Sequence, residues 1–97
     1  MNEDLQSFAK EMINKWGKEA QLRQAQEEAA ELIVAISHYL RTGAVENLYE
    51  EVADVYIMIA QLLYILEEDN VQYWIAKKMS RNRNVGGANN GGVPCLC

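Results

Sequence analysis

Very little in this sequence can break a helix or staple a fold. It has one proline, Pro94, and of its six glycines only Gly17 comes before residue 43. A chain so poor in breakers is expected to be helical over nearly all of its body. The two cysteines, Cys95 and Cys97, stand two residues apart at the C-terminal end, where they cannot cross-link a core. They read as exposed thiols, with a lipidation or metal-tethering tail as the alternative. No cluster of Lys and Arg offsets a formal net charge of −5 and a pI of about 4.8, which argues against duplex nucleic acid as a partner. The opening MNEDLQSFAK has early acids and no apolar segment of the secretory kind. The longest apolar run, VADVYIMIAQLLYIL at 52–66, is too short for a membrane span and contains Asp54. The expectation is a soluble, cytoplasmic protein that engages neither nucleic acid nor membrane.

What is present is helical periodicity. A first amphipathic helix is expected from just after Asn2 to Gly17, with Leu5, Phe8, Ala9, Met12, Ile13 and Trp16 on one face. A second runs from about Glu19 to Arg41, its stripe formed by Leu22, Ala25, Ala29, Leu32, Ile33, Ile36 and Leu40, with Gly43 as the left-handed residue that ends it. Asn47 followed by Glu50 reads as a capping box, so a third helix is expected from Leu48 to about Glu67. Asp69 with Gln72 repeats the signal for a fourth, ending around Arg83. Residues 86–97, GGANNGGVPCLC, lack periodicity and read as a tail beyond an all-α domain spanning 1–85. Short connections favour an antiparallel bundle of about four helices. The third helix is apolar almost all round, and a 97-residue chain has few elements to cover it. The bundle is therefore expected to be completed by oligomerisation, as a homodimer or homotetramer.

Two acidic clusters interrupt this pattern. EEAAE supplies Glu27, Glu28 and Glu31; EEVAD supplies Glu50, Glu51 and Asp54. Glu28 and Glu31 lie about 60° apart around the second helix, beside its apolar stripe, while Glu27 points more nearly to solvent. Glu51 and Asp54 have the same relationship on the third helix. If the two helices are antiparallel, Glu28, Glu31, Glu51 and Asp54 can converge. Four like charges partly out of water raise one another's pKa values or force the helices apart, unless a cation joins them. Hard divalent ions, Mg²⁺ or Mn²⁺, suit an all-oxygen site. His38 stands two turns from Glu31, so the Glu-x-x-His pattern of di-iron bundles is missing. A solvated face is the bland explanation of EEAAE, but it fails for Asp54, whose neighbours Val52, Val55, Ile57 and Met58 are apolar.

EExxE followed by ExxD, here Glu27–Glu31 and Glu51–Asp54 with nineteen residues between them, resembles the signature of MazG-like nucleotide pyrophosphohydrolases of the all-α nucleoside triphosphate pyrophosphatase superfamily. The resemblance covers about Trp16 to Arg83. It implies Mg²⁺-dependent hydrolysis of a nucleoside triphosphate to the monophosphate and pyrophosphate, often to remove unwanted nucleotides. It implies Glu28, Glu31, Glu51 and Asp54 as metal ligands, with Glu27 assisting the attacking water or merely solvated. It implies that Lys77 and Arg81 of KKMSR contact phosphates, where the alternative is a basic last turn that complements the helix dipole. The asparagine that the family often places before this basic pair is Ala76 here. Trp16 stands where related proteins line the base pocket; core packing is the other explanation, as it is for Tyr73 and Trp74. Relatives acting on phosphoribosyl-ATP, dUTP or dCTP, and a non-catalytic helical dimerisation module, are the competing expectations. Gln61 has two readings, a place in the same cleft or a pairing across a dimer.

Overall fold

The computed structural model describes residues 2–88, with side chains through residue 84. The described residues form four helices and no strand: α1 (Glu3–Trp16), α2 (Lys18–Thr42), α3 (Glu46–Ile65) and α4 (Glu68–Ala88). The all-α expectation holds, and no helix is long and apolar enough to cross a membrane. Two units divide the chain, the first carrying α1, α2 and α3 and ending at Leu66, the second beginning at Glu67.

Local chemistry sets most of the boundaries. The Asn2 side chain accepts from the Leu5 amide at 2.8 Å and so caps α1. Gly17 (φ 92°) and Gly43 (φ 77°) hold the positive φ values that end α1 and α2, and each donates its amide back into the last turn, to the Ile13 and Tyr39 carbonyls. An added Cβ at either glycine meets nothing within 4 Å, so the requirement is conformational rather than one of space.

The two capping boxes expected at the later helices are not formed. α3 starts from Val45, which has no side chain to offer as a cap; its carbonyl accepts from the Tyr49 amide, and Asn47 falls inside the first turn. The three-residue connection from Gly43 leaves no slack for a start at Leu48. At α4 the capping position is Glu67, whose carbonyl accepts from the amides of Asn70 and Val71 and whose carboxylate accepts from the Asn70 side chain at 3.0 Å. Asp69 is thereby drawn into the first turn, where its charge suits the helix dipole. α4 ends at Ala88 rather than near Arg83, since glycine weakens a helix without forbidding it. The rest of the segment read as a tail, with Cys95 and Cys97, lies outside the described residues.

In the first unit α2 packs chiefly on α3, and α1 packs on α3 and less extensively on α2. The buried centre is small. Ala9, Ala35 and Ala60 supply one alanine from each helix, which lets the backbones approach, and Met58 fills the space beside them. Burying a side chain of that size contributes about 1.5–3 kcal/mol. On α2 the inward line is Gln21, Ala25, Glu28, Leu32, Ala35 and His38, shared with the expected stripe only at Ala25 and Leu32. The remaining apolar positions, Leu22, Ile33, Ile36 and Leu40, are exposed, as are Tyr49, Val52, Tyr56 and Ile59 on α3. The expected stripe and the packed face differ because α2 is apolar across a wide arc, and α1 and α3 occupy only one edge of it.

Candidate metal centre and adjoining cavity

Antiparallel packing of α2 on α3 is visible in which residues meet: Glu28 and Glu31 face Glu51 and Asp54 at one end, and Gln21 faces Gln61 at the other. The i, i+3 spacing on each helix puts both acids of a pair on the inward side, and the packing brings the two pairs together. One oxygen from each of Glu28, Glu31, Glu51 and Asp54 lies within 4.8 Å of all the others. Glu31 is exposed; the other three are half-buried.

This group is electrostatically costly as it stands. Glu28 Oε2 and Glu51 Oε2 are buried and have no hydrogen-bond partner among the described residues. Loss of hydration pushes the Glu28 carboxyl above its usual 4.5; the bond from Gln24 opposes the rise, and the charges of Asp54 and Glu31 add to it. Loss of hydration also raises Glu51, reinforced by Glu31, Asp54 and Glu28. Two orphaned carboxylate oxygens inside a cluster of four are the donor set that a hard divalent cation satisfies.

A cavity of about 440 Å³ takes its walls from the three helices of the first unit, among them Phe8, Met12 and Trp16 of α1, Gln21 and Gln24 of α2, and Gln61 of α3. Gln24 belongs to both places, because its Nε2 donates to Glu28 Oε1 at 2.8 Å. Trp16 is 60% exposed, so it is cavity wall rather than core. A second concavity of about 290 Å³ opens on the carboxylates, lined by Ala30, Glu31, Val34, Asn47 and Glu51. Gln61 is settled by its partners: only 2% exposed, it accepts from Gln21 Nε2 at 2.7 Å and turns its own Nε2 to Met58 Sδ at 3.7 Å. It pairs within the chain.

No family model, curated protein or solved structure matches this chain.

Of the other residues singled out in the sequence, Glu27 and Glu50 are exposed and outside the four-carboxylate group. Lys77 and Arg81 belong to α4, in the second unit. There Lys77 Nζ lies 4.9 Å from the Trp74 ring centroid and 5.8 Å from that of Tyr73, and the two rings meet edge to face at 5.5 Å. Sequence reasoning missed Gln21, Gln24 and Asn47. Asn47 precedes Glu51 by four residues and so shares its face, a signal hidden by the capping-box reading.

Proposed function

We propose that this chain is a Mg²⁺-dependent nucleoside triphosphate pyrophosphohydrolase that converts a (d)NTP to the (d)NMP and pyrophosphate, a reaction suited to clearing unwanted nucleotides. The observation that carries the reading is the meeting of Glu28, Glu31, Glu51 and Asp54 around two buried, unpartnered carboxylate oxygens. These four acids would hold the ion, Mg²⁺ or Mn²⁺. When bound, it supplies charge neutralisation on the phosphoryl oxygens and lowers the pKa of water in its shell.

The chain's residues do the rest. Gln24, through its bond to Glu28, holds that carboxylate in place. Exposed Glu27 is assigned to assist the attacking water. Trp16 offers an exposed indole face on which a base can stack, at the wall of a cavity of about 440 Å³ that shares Gln24 with the carboxylates. The resemblance would give Lys77 and Arg81, on α4 of the second unit, the role of phosphate-binding cations, which ease departure of pyrophosphate. The exposed apolar lines on α2 and α3, ten large side chains from Leu22 to Ile59, support assembly with a second copy as a homodimer or homotetramer.

The direct assay incubates the protein with canonical and modified triphosphates, with and without Mg²⁺, and measures pyrophosphate and orthophosphate separately. Pyrophosphate that appears only with the metal is expected. Orthophosphate in its place, or silence across the panel, removes the proposal, and a monomer by light scattering removes the assembly.

A further inference from the structure

Gln61 is an expensive residue for its place. It lies among Ile57, Met58, Ala60 and Leu62, is 2% exposed, and makes one strong hydrogen bond and one weak contact to sulfur. A leucine or methionine would fill the space without burying an amide, and an amide left short of partners in such a setting costs about 1–3 kcal/mol. What Gln61 does accomplish is to fix an orientation. The thioether of Met58 can only accept, so the Nε2 of Gln61 faces it and the Oε1 faces Gln21. Gln21 must then present its Nε2 to Gln61, and its own carbonyl has no partner among the described residues. One turn along α2, Gln24 is oriented in the same way by Glu28, a carboxylate that accepts its Nε2 and leaves the Gln24 carbonyl without a partner among the described residues. Two amides on the cavity wall thus have their nitrogens committed and their carbonyl oxygens available.

We infer that this arrangement selects nucleobases that carry an exocyclic amino group, cytosine and adenine in preference to uracil, thymine and hypoxanthine, with Gln21, Gln24 and Gln61 as the determinants of specificity. The inference rests on the nucleotide reading above. An amino group has two N–H bonds, one for each carbonyl. A keto oxygen in the same position sets three lone-pair-bearing atoms against one another, and both carbonyls lose water to the docked base without gaining a donor. Gln61 reaches the base through Gln21 and is a positioning residue.

The test uses pairs that differ only in that group, dCTP against dUTP and ATP against ITP. The expected kcat/KM ratio favours the amino member by roughly tenfold or more, the change that about 1.4 kcal/mol produces. In Gln61→Leu the Gln21 amide is free to turn either end to the base, and the ratio should collapse toward one through improved use of the keto substrate. Gln21→Glu has no N–H for Gln61 and so breaks the pair, yet it offers only acceptors to the base and should retain the preference, which a merely structural role for the pair does not explain. Binding of CMP and UMP by calorimetry reads the same discrimination without hydrolysis. Parity or a keto preference in the parent overturns the inference, as does a ratio that Gln61→Leu and Gln21→Met both leave unchanged. Tighter binding of CMP with no triphosphate hydrolysed upholds it and removes the pyrophosphohydrolase reading; hydrolysis without discrimination does the reverse. If neither monophosphate binds, the inference is wrong.

Discussion

The seam between α2 and α3 buries polar side chains at both ends, and the two ends handle them in opposite ways. At the glutamine end, Gln21 and Gln61 are neutral and share a hydrogen bond of 2.7 Å. At the carboxylate end, four acids of the same sign crowd within 4.8 Å and two of their oxygens have no partner among the described residues. An amide carries both donor and acceptor and can close a pair within the protein; a carboxylate carries only acceptors and cannot. The first end can therefore be linked by protein groups alone, while the second keeps acceptors that only a donor or a positive charge from elsewhere could fill.

Removing a ligand should separate the ends most sharply. Glu31→Gln or Asp54→Asn is expected to lower pyrophosphate release by more than the roughly 10–100-fold that loss of an outer partner of a metal site costs. Circular dichroism should show the helices intact. Mg²⁺ at about a hundred times its Kd should stabilise the parent by about 2.7 kcal/mol, worth on the order of 10 °C in a chain of this size, and should hardly move either variant. Full activity in Glu31→Gln would mean that the ligand assignment is wrong.

Substitutions that respect charge should next show opposite signs at the two ends. With a chelator present, Glu51→Gln removes one of four repelling charges and should raise the melting temperature; with Mg²⁺ it should lower it relative to the parent. At the other end, Gln61→Leu alone strands Gln21 and should cost about 1–3 kcal/mol, whereas Gln21→Leu with Gln61→Leu removes both partners and should recover most of that loss, with or without the metal. A Gln21/Gln61 cycle that responds to Mg²⁺ as strongly as Glu51→Gln does would dissolve the contrast.

The smallest effect is the pH dependence. Glu28 and Glu51 have pKa values above the usual 4.5, so the folded state holds their protons more tightly than the unfolded chain does. The destabilisation from their ionisation is absent below the unfolded value and grows as pH rises through the raised folded values. In chelator, the stability advantage of Glu51→Gln over the parent should therefore shrink as pH falls from 7 toward 4.5. Thermal melts at stepped pH measure this, and an advantage that widens on acidification would contradict the assigned shift.

The parts of this molecule that were legible from sequence are those set by neighbours along the chain. Asn2, Gly17 and Gly43 each act within one turn, and the helix ends fall where those residues put them. The four acids were legible for the same reason, since i, i+3 spacing alone places each pair on one face. Contacts between helices were not. Periodicity told that α2 has an apolar arc but not which edge of it would be packed, because Leu22, Ile36 and Leu40 are as apolar as Leu32 and Ala35. Gln21 and Gln24 look like any glutamines on a helix surface, and only Gln61, set in an apolar run, announced itself. Its partner is forty residues away and no local pattern points to it. Asn47 and Asp69 are good capping residues beside positions that tertiary geometry chose instead.

Gln24 leaves a last consequence. Its nitrogen is bound to Glu28 while its side chain forms part of the cavity wall, so one amide is shared by two places that different ligands would occupy. A ligand that turns this amide in the cavity must weaken or strengthen its hold on the carboxylate. Thermodynamic reciprocity then requires that an ion on the carboxylates change the affinity for that ligand by the same factor. A single rotatable side chain is enough to make the occupant of the cavity and the charge of the carboxylate group dependent on each other.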